Sequence, residues 1–85
     1  MPRVLARVGG FDVMVNRVED QDEPHVHVYK AGVEYRIGIV SGALLTATGG
    51  TKAQARAAVQ LVRDHLFECR TEWNRWHSDR FVKTD

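Results

Sequence analysis

The chain has 85 residues, of which 44% are hydrophobic and 27% are charged, and its formal net charge at pH 7 is +1. This length allows one domain with a modest core, and the composition is that of a globular protein and not of a disordered one. The nearly neutral balance neither demands nor excludes a nucleic-acid partner. No apolar run approaches the ~20 residues of a membrane helix, and a single cysteine excludes an internal disulfide. We therefore expect one cytoplasmic domain over 1–85.

The first half of the chain alternates apolar and polar residues, which is typical of β-strands. We predict strands over about 3–8, 11–18, 25–31, 33–40 and 43–47, with an acidic loop over 19–23. Gly-containing pairs between the other strands are turn signals. If Ala31 and Gly32 form a two-residue hairpin loop, Lys30 pairs with Val33 and His27 pairs with Arg36. This register predicts which side chains share a face of the sheet.

The second half of the chain has the periodicity of one long helix. Gly49-Gly50 ends the sheet, and Thr51 is a candidate N-cap for a helix from 52 to 69 that extends to about 76. At about 100° per residue, one helix face collects the apolar residues. They are Ala55, Ala58, Val62, Leu66, Cys69 and Trp73. The sequence therefore predicts an α+β fold: a meander of four or five antiparallel strands with one long C-terminal helix packed on one face. The tail over 78–85 is predicted to fray, with docking of Phe81 and Val82 as the alternative.

The third predicted strand carries the main chemical feature of the chain. Alternation places Val26 and Val28 on one face of the sheet, and His25, His27 and Tyr29 on the other. Because burial of the valines is favourable, we expect the two histidines to lie together on the more open face. Adjacent imidazoles on a strand have three interpretations: a pair that satisfies structural hydrogen bonds, an acid–base pair, or part of a metal site.

General acid–base chemistry is the first functional interpretation of His25 and His27. Imidazole titrates near neutrality, so one ring can accept a proton while the other donates one. Cleavage of RNA without a metal needs such a pair together with cations for the phosphate. Arg36 and Lys30 are the predicted phosphate contacts, and Tyr29 would orient a histidine or stack on a base.

A metal site is the second functional interpretation. A His-x-His strand puts two ligands on one face, as zinc accepts. Further ligands would have to come from Asp20, Asp22, Glu23, His65 or His77. Because only two neighbouring ligands are evident, we predict no tightly bound metal and no cofactor.

Charged residues divide the predicted helix into two sides. A basic stripe lies within about 40° of arc beside the apolar face. Its members are Lys52, Arg56, Arg63 and Arg70. Asp64, Glu68 and Glu72 are predicted to lie away from the apolar face. The basic stripe is open to three interpretations: solvated residues, a phosphate track, or an edge that binds an antitoxin-like protein.

These motifs together resemble a known family. Pro24-His25-Val26-His27-Val28, a hairpin, the strand Ile37-Gly38-Ile39, the turn Ser41-Gly42 and a long helix with late tryptophans resemble the bacterial family of unknown function numbered 4160. The resemblance covers about 11–77. The chain departs from the family motif at Gln21, where His is frequent, and at Glu23, where Pro is frequent. The resemblance implies one half of a two-gene, toxin–antitoxin-like module with a small DNA-binding partner.

Two main functional hypotheses follow. The leading one is a toxin-like component that acts on RNA as an endoribonuclease, through metal-independent acid–base chemistry of His25 and His27. The alternative is a non-catalytic protein-interaction or metal-binding module, including an adaptor or inhibitor of a nucleic-acid machine. The expected partners are a small antitoxin-like protein and RNA, with no membrane, and a homodimer is left open.

Overall fold

The computed structural model describes residues 4–15 and 23–84. The elements are β1 (Val4–Val8), β2 (Phe11–Met14), β3 (His25–Lys30), β4 (Val33–Gly38), β5 (Leu44–Ala47), α1 (Lys52–Asp64), α2 (Leu66–Trp76) and a short 3-10 helix (Ser78–Arg80). The strands form one antiparallel sheet in the order β1-β2-β3-β4-β5. The predicted α+β fold with its meander is therefore confirmed. The predicted strand and loop over 16–22 lie outside the described residues.

The β3–β4 hairpin has the register that the sequence predicts. Lys30 pairs with Val33 and His27 pairs with Arg36, and the other pairs of the hairpin follow from the same register. The turn residue Ala31 has a φ of 49° and Gly32 has a φ of 81°. Both residues have a left-handed backbone conformation, which a two-residue turn between twisted strands requires.

Strand β4 ends two residues before the prediction. The main-chain N–H of Gly38 donates to the carbonyl of Ala43 at 2.9 Å, and the N–H of Gly42 donates to the carbonyl of Gly38 at 3.1 Å. These bonds close a tight loop directly after Gly38. Ile39 is buried, but Val40 is exposed on the loop.

The core lies between one face of the sheet and the two helices. The sheet contributes Phe11, Val13, Val15, Val26, Val28, Tyr35, Ile37 and Ile39. The helices contribute Ala58, Leu61, Val62, Cys69 and Trp73, with Ala55, Val59 and Leu66 partly buried. The predicted helix face is therefore the face that packs. Among the described residues, no helix is long and apolar enough to span a membrane.

The predicted single long helix is wrong, because it breaks at His65. In a continuous helix the carbonyl of Leu61 would accept the main-chain N–H of His65. Here that carbonyl accepts the Nδ1–H of the His65 side chain at 2.9 Å, and the main-chain N–H of His65 donates to Val62 instead. At the other end of α1, Thr51 forms the predicted N-cap as a capping box with Gln54.

The end of the chain is held against α2. The main-chain N–H of Val82 donates to Oδ1 of Asn74 at 2.7 Å, and Nδ2 of Asn74 donates to the carbonyl of Val82 at 2.7 Å. Val82 is buried. The alternative prediction for the tail therefore holds at Val82, which docks, whereas Phe81 is exposed.

Candidate functional site

His25, His27 and Tyr29 share one face of β3. The ring centroids of the two histidines are 5.0 Å apart, and those of His27 and Tyr29 are 6.3 Å apart with nearly parallel planes. Val26 and Val28 lie in the core on the opposite face. The predicted division of the strand into a valine face and a histidine face is therefore confirmed.

The predicted openness of the histidine face is wrong. His25 is only 2% exposed and His27 only 4%. Helix α2 brings the ring of Trp73 against His25, with 6.1 Å between centroids, and His77 stacks on Trp73 at 4.0 Å. Alternation along a strand predicts which side chains share a face, but it does not predict what packs against that face.

The neutral form of His25 has a defined tautomer. Its Nδ1–H donates to the main-chain carbonyl of Glu23 at 2.7 Å. The proton of the neutral ring is therefore on Nδ1, and Nε2 is the acceptor. Glu23 precedes the strand by two residues, so the bond also holds the entry of the chain into β3.

His27 lies beside a carboxylate and an arginine. Its Nδ1–H donates to Oε1 of Glu34 at 3.2 Å, and Nε of Arg36 lies 3.7 Å from the same oxygen. Burial lowers the pKa of His27 below 6.5; Glu34 opposes this shift, while His25 and Arg36 add to it. Nε2 of His27 is buried and has no hydrogen-bond partner among the described residues. The ring is therefore neutral at pH 7 and carries an acceptor nitrogen.

Three partly exposed side chains border the histidines, and we call them the polar strip: Tyr29, Glu34 and Arg36. Tyr29 is 38% exposed, and burial, followed by the nearby carboxylate of Glu34, raises the pKa of its hydroxyl. Because Glu34 contacts both His27 and Arg36, the strip is connected to the buried rings beneath it.

Lys30 does not join this group. It lies two residues beyond Val28, on the same face of β3, and its Nζ is 4.5 Å from the ring centroid of Phe11. The predicted pairing of Lys30 with the histidines around a phosphate therefore does not form. Alternation explains the difference, since Lys30 and His27 are an odd number of residues apart.

The basic stripe follows the junction of the helices with the sheet. Nε of Arg63 donates to the carbonyl of Gly42 at 3.3 Å, and Nε of Arg70 donates to the carbonyl of Ile39 at 2.6 Å. Both carbonyls belong to the connection between β4 and β5. The other two members, Lys52 and Arg56, are exposed on α1.

The three acidic residues that the sequence places away from the apolar helix face, Asp64, Glu68 and Glu72, do not all lie there. Asp64 and Glu68 are exposed, but Glu72 is buried. Its Oε2 accepts the indole N–H of Trp76 at 2.8 Å, and its other oxygen lies 3.9 Å from Arg75. The prediction for Glu72 is therefore wrong, because helical spacing does not show that a neighbouring indole can satisfy a buried carboxylate.

A comparison with family models identifies the chain. The model described as "Domain of unknown function (DUF4160)" matches residues 10–74, which include the histidine strand and most of both helices. The chain belongs to the DUF4160 family. No curated protein and no solved structure matches it. The predicted family resemblance is thus confirmed, and the two-gene role stays a prediction.

Beyond the adjacent His25 and His27, the described part of this DUF4160 domain does not complete a group of metal ligands. Within 4–15 and 23–84, no three His, Cys, Asp or Glu side chains are grouped so that they could hold a metal ion. Of the predicted additional ligands, His65 donates to a carbonyl of α1, and His77 stacks on Trp73. Asp20 and Asp22 lie outside the described residues. The absence of a tightly bound metal at the histidine pair stays a prediction, which elemental analysis of the purified protein tests.

Two residues of the DUF4160 site have roles that the sequence does not predict. Glu34 accepts a hydrogen bond from His27, although the register places it opposite Tyr29. Diagonal neighbours on a sheet face are close enough for a long side chain to reach, and this would have been a usable signal. Trp73 is predicted to be in the core, but its contact with His25, which lies on the other face of β3, is not predicted.

Proposed function

We propose that this domain is a non-catalytic protein-interaction module, the member of a bacterial two-gene pair that binds the product of the neighbouring gene. The burial of His25 and His27 supports this proposal. An acid or base must come within about 3 Å of the atom that it protonates or deprotonates. Rings that are only 2% and 4% exposed offer little surface to a phosphodiester of RNA, and His25 is further covered by its contact with Trp73.

The polar strip is the proposed docking surface. Tyr29 and Arg36 are partly exposed, and both are residue types that contribute strongly to binding at protein interfaces. His27 supports both of them, through its stacking on Tyr29 and its hydrogen bond to Glu34. In this proposal the two histidines order the docking surface and do not touch the partner.

One observation favours a second candidate function, the toxin-like endoribonuclease. His27 is neutral at pH 7, and its Nε2 has no hydrogen-bond partner among the described residues. A buried polar atom of this kind calls for an explanation, and a catalytic role is one. In this alternative His27 is the base, His25 is the acid, and Arg36 holds the phosphate.

Co-expression with the neighbouring gene product tests the proposal. The two proteins should co-elute from size-exclusion chromatography. Tyr29→Ala and Arg36→Ala should each weaken binding by about tenfold or more, as hot-spot residues do. Lys30→Ala is the matched control, because it removes a cation from the opposite face of the same strand. Failure of the wild-type pair to co-elute would refute the proposal.

A growth and RNA assay separates the two candidates. The proposal expects that the folded wild-type protein leaves total cellular RNA intact and that its expression is not toxic through RNA cleavage. Cleavage that is lost in His27→Gln, with the circular dichroism spectrum unchanged, would support the endoribonuclease and exclude a non-catalytic module.

A further inference from the structure

Strand β5 ends the sheet, and within residues 4–15 and 23–84 no further strand pairs with its outer side. Leu44 is 39% exposed, and the neighbouring Thr46 and Ala47 are exposed as well. The segment 40–51 contains no charged residue and no proline. Natural sheets protect edge strands from further pairing with charges, prolines or covering elements. The opposite edge, β1, follows this rule, since its Arg7 side chain is 70% exposed.

The main chain of β5 presents hydrogen-bonding groups to the open side. The N–H of Thr48 donates to the carbonyl of Glu34 at 3.0 Å, so Thr48 faces β4. In an antiparallel pair successive residues alternate between facing the partner strand and facing away from it. Ala47, which is opposite Tyr35, therefore directs its N–H and carbonyl away from β4. These groups can pair with an added strand.

Cations line this edge on the helix face of the sheet. Helix α1 starts shortly after β5, and Arg63 near its end donates to the carbonyl of Gly42, just before β5 begins. The exposed Lys52, Arg56 and Arg63 thus follow β5 along the helix side. On the histidine side Arg36 is paired with Thr46, and the carboxylate of Glu34, 3.7 Å from Arg36, offsets its charge. The edge itself is uncharged, and its helix side is basic.

We propose that the open edge of β5 accepts an extended acidic segment of the partner protein as a sixth strand of the sheet. This inference rests on the proposed function, because it takes the chain to be an interaction module. It adds that the partner binds through an acidic, extended segment. Main-chain hydrogen bonds would provide affinity, and carboxylates would meet the basic stripe. A second copy of this chain is a poorer occupant, because antiparallel pairing of two β5 edges would bring two basic stripes together.

A synthetic peptide of about ten residues that alternates Glu with Val is the probe. Titration followed by amide NMR should shift the resonances of β5 and leave those of β1 unchanged. Ala47→Glu should weaken binding by roughly fivefold relative to Ala47→Lys, because each exposed charge contact changes affinity by about two- to fivefold. Both variants keep the outward N–H, so their difference reports charge alone. A peptide with Lys in place of Glu should not bind.

The inference would be overturned by no shift at millimolar acidic peptide, by shifts confined to Tyr29 and its neighbours on β3, or by equal binding of the two Ala47 variants. Concentration-dependent dimerisation of the wild-type chain, abolished by both variants, would identify a second copy as the occupant and would also refute it. Failure of the proposed function is a separate outcome. RNA cleavage that depends on His27 would remove the interaction module, whereas the peptide titration measures the β5 edge independently of catalysis.

Discussion

Nδ1 of His27 and Oε1 of Glu34 lie 3.2 Å apart across the β3–β4 hairpin, where a buried ring meets a partly exposed carboxylate. The carboxylate of Glu34 would stabilise a protonated ring, but burial, the largest effect, lowers the pKa of His27 below 6.5. The imidazole is therefore kept neutral and serves as the donor that orders Glu34.

The stability of the domain should consequently fall as the pH decreases. The unfolded chain takes up a proton at His27 near pH 6.5, whereas the folded chain resists protonation until its lower pKa. The contribution of His27 to the free energy of unfolding is thus fully present above about pH 6.5. It is lost as the pH falls towards the pKa of His27 in the folded protein, with a slope of at most about 1.4 kcal/mol per pH unit. Urea unfolding between pH 7.5 and 5 measures this slope.

The matched variants are His27→Gln, which keeps a neutral donor, and His65→Gln, which removes an imidazole from the helix break. Stability should depend less on pH in His27→Gln than in the wild-type protein, and His65→Gln should retain the His27 contribution. An unchanged pH slope in His27→Gln would contradict the lowered pKa.

Ile37 tests the core between β4 and the helices. Its side chain is fully buried opposite Val26, so Ile37→Ala should cost about 2–5 kcal/mol through lost burial and a cavity. Leu66 lies only partly buried at the start of α2, so Leu66→Ala should cost less. Thermal and urea unfolding followed by circular dichroism compare the two. A larger loss at Leu66 than at Ile37 would contradict the partial burial of Leu66.

The register of the β3–β4 hairpin could be predicted because two independent signals agree. A two-residue turn at Ala31 and Gly32 allows one pairing, and the same pairing puts Val26 opposite Ile37 on the apolar face. A shift by one residue would have moved Val26 and its neighbours to the other face, so the pattern excludes it.

The burial of the histidines could not be predicted in the same way. It involves contact of Trp73 with His25, and therefore the direction of α2 after the break at His65. The break results from a hydrogen bond between the His65 side chain and a main-chain carbonyl. Periodicity does not detect the break, because the apolar stripe continues through one irregular residue. The same periodicity therefore still predicts Cys69 and Trp73 in the core, where they lie.

Trp73 should be a major contributor to stability. Its indole N–H donates to the carbonyl of Arg80 at 2.8 Å, and its ring lies between His25 and His77. Trp73→Phe keeps an aromatic ring but removes the donor, so we expect a loss of about 1–3 kcal/mol. Urea unfolding followed by circular dichroism avoids the altered fluorescence. Phe67→Leu, at an exposed position of the same helix, is the control and should change stability by less than about 0.5 kcal/mol.

The single thiol should be unreactive in the folded protein. Cys69 is fully buried on α2, and burial, with a smaller effect of Glu68, raises its pKa to about 12. Because the thiolate is the nucleophile, both the burial and the high pKa suppress its reaction. Ellman's reagent at pH 8 should label less than a few per cent of the native protein in the time that labels the urea-unfolded protein completely, since the chain has one cysteine. The labelling rate in intermediate urea should follow the unfolded fraction measured by circular dichroism. Rapid labelling of the native protein, at a rate independent of urea, would show that α2 opens locally at Cys69, and the same opening would uncover His25, which contacts Trp73 on that helix.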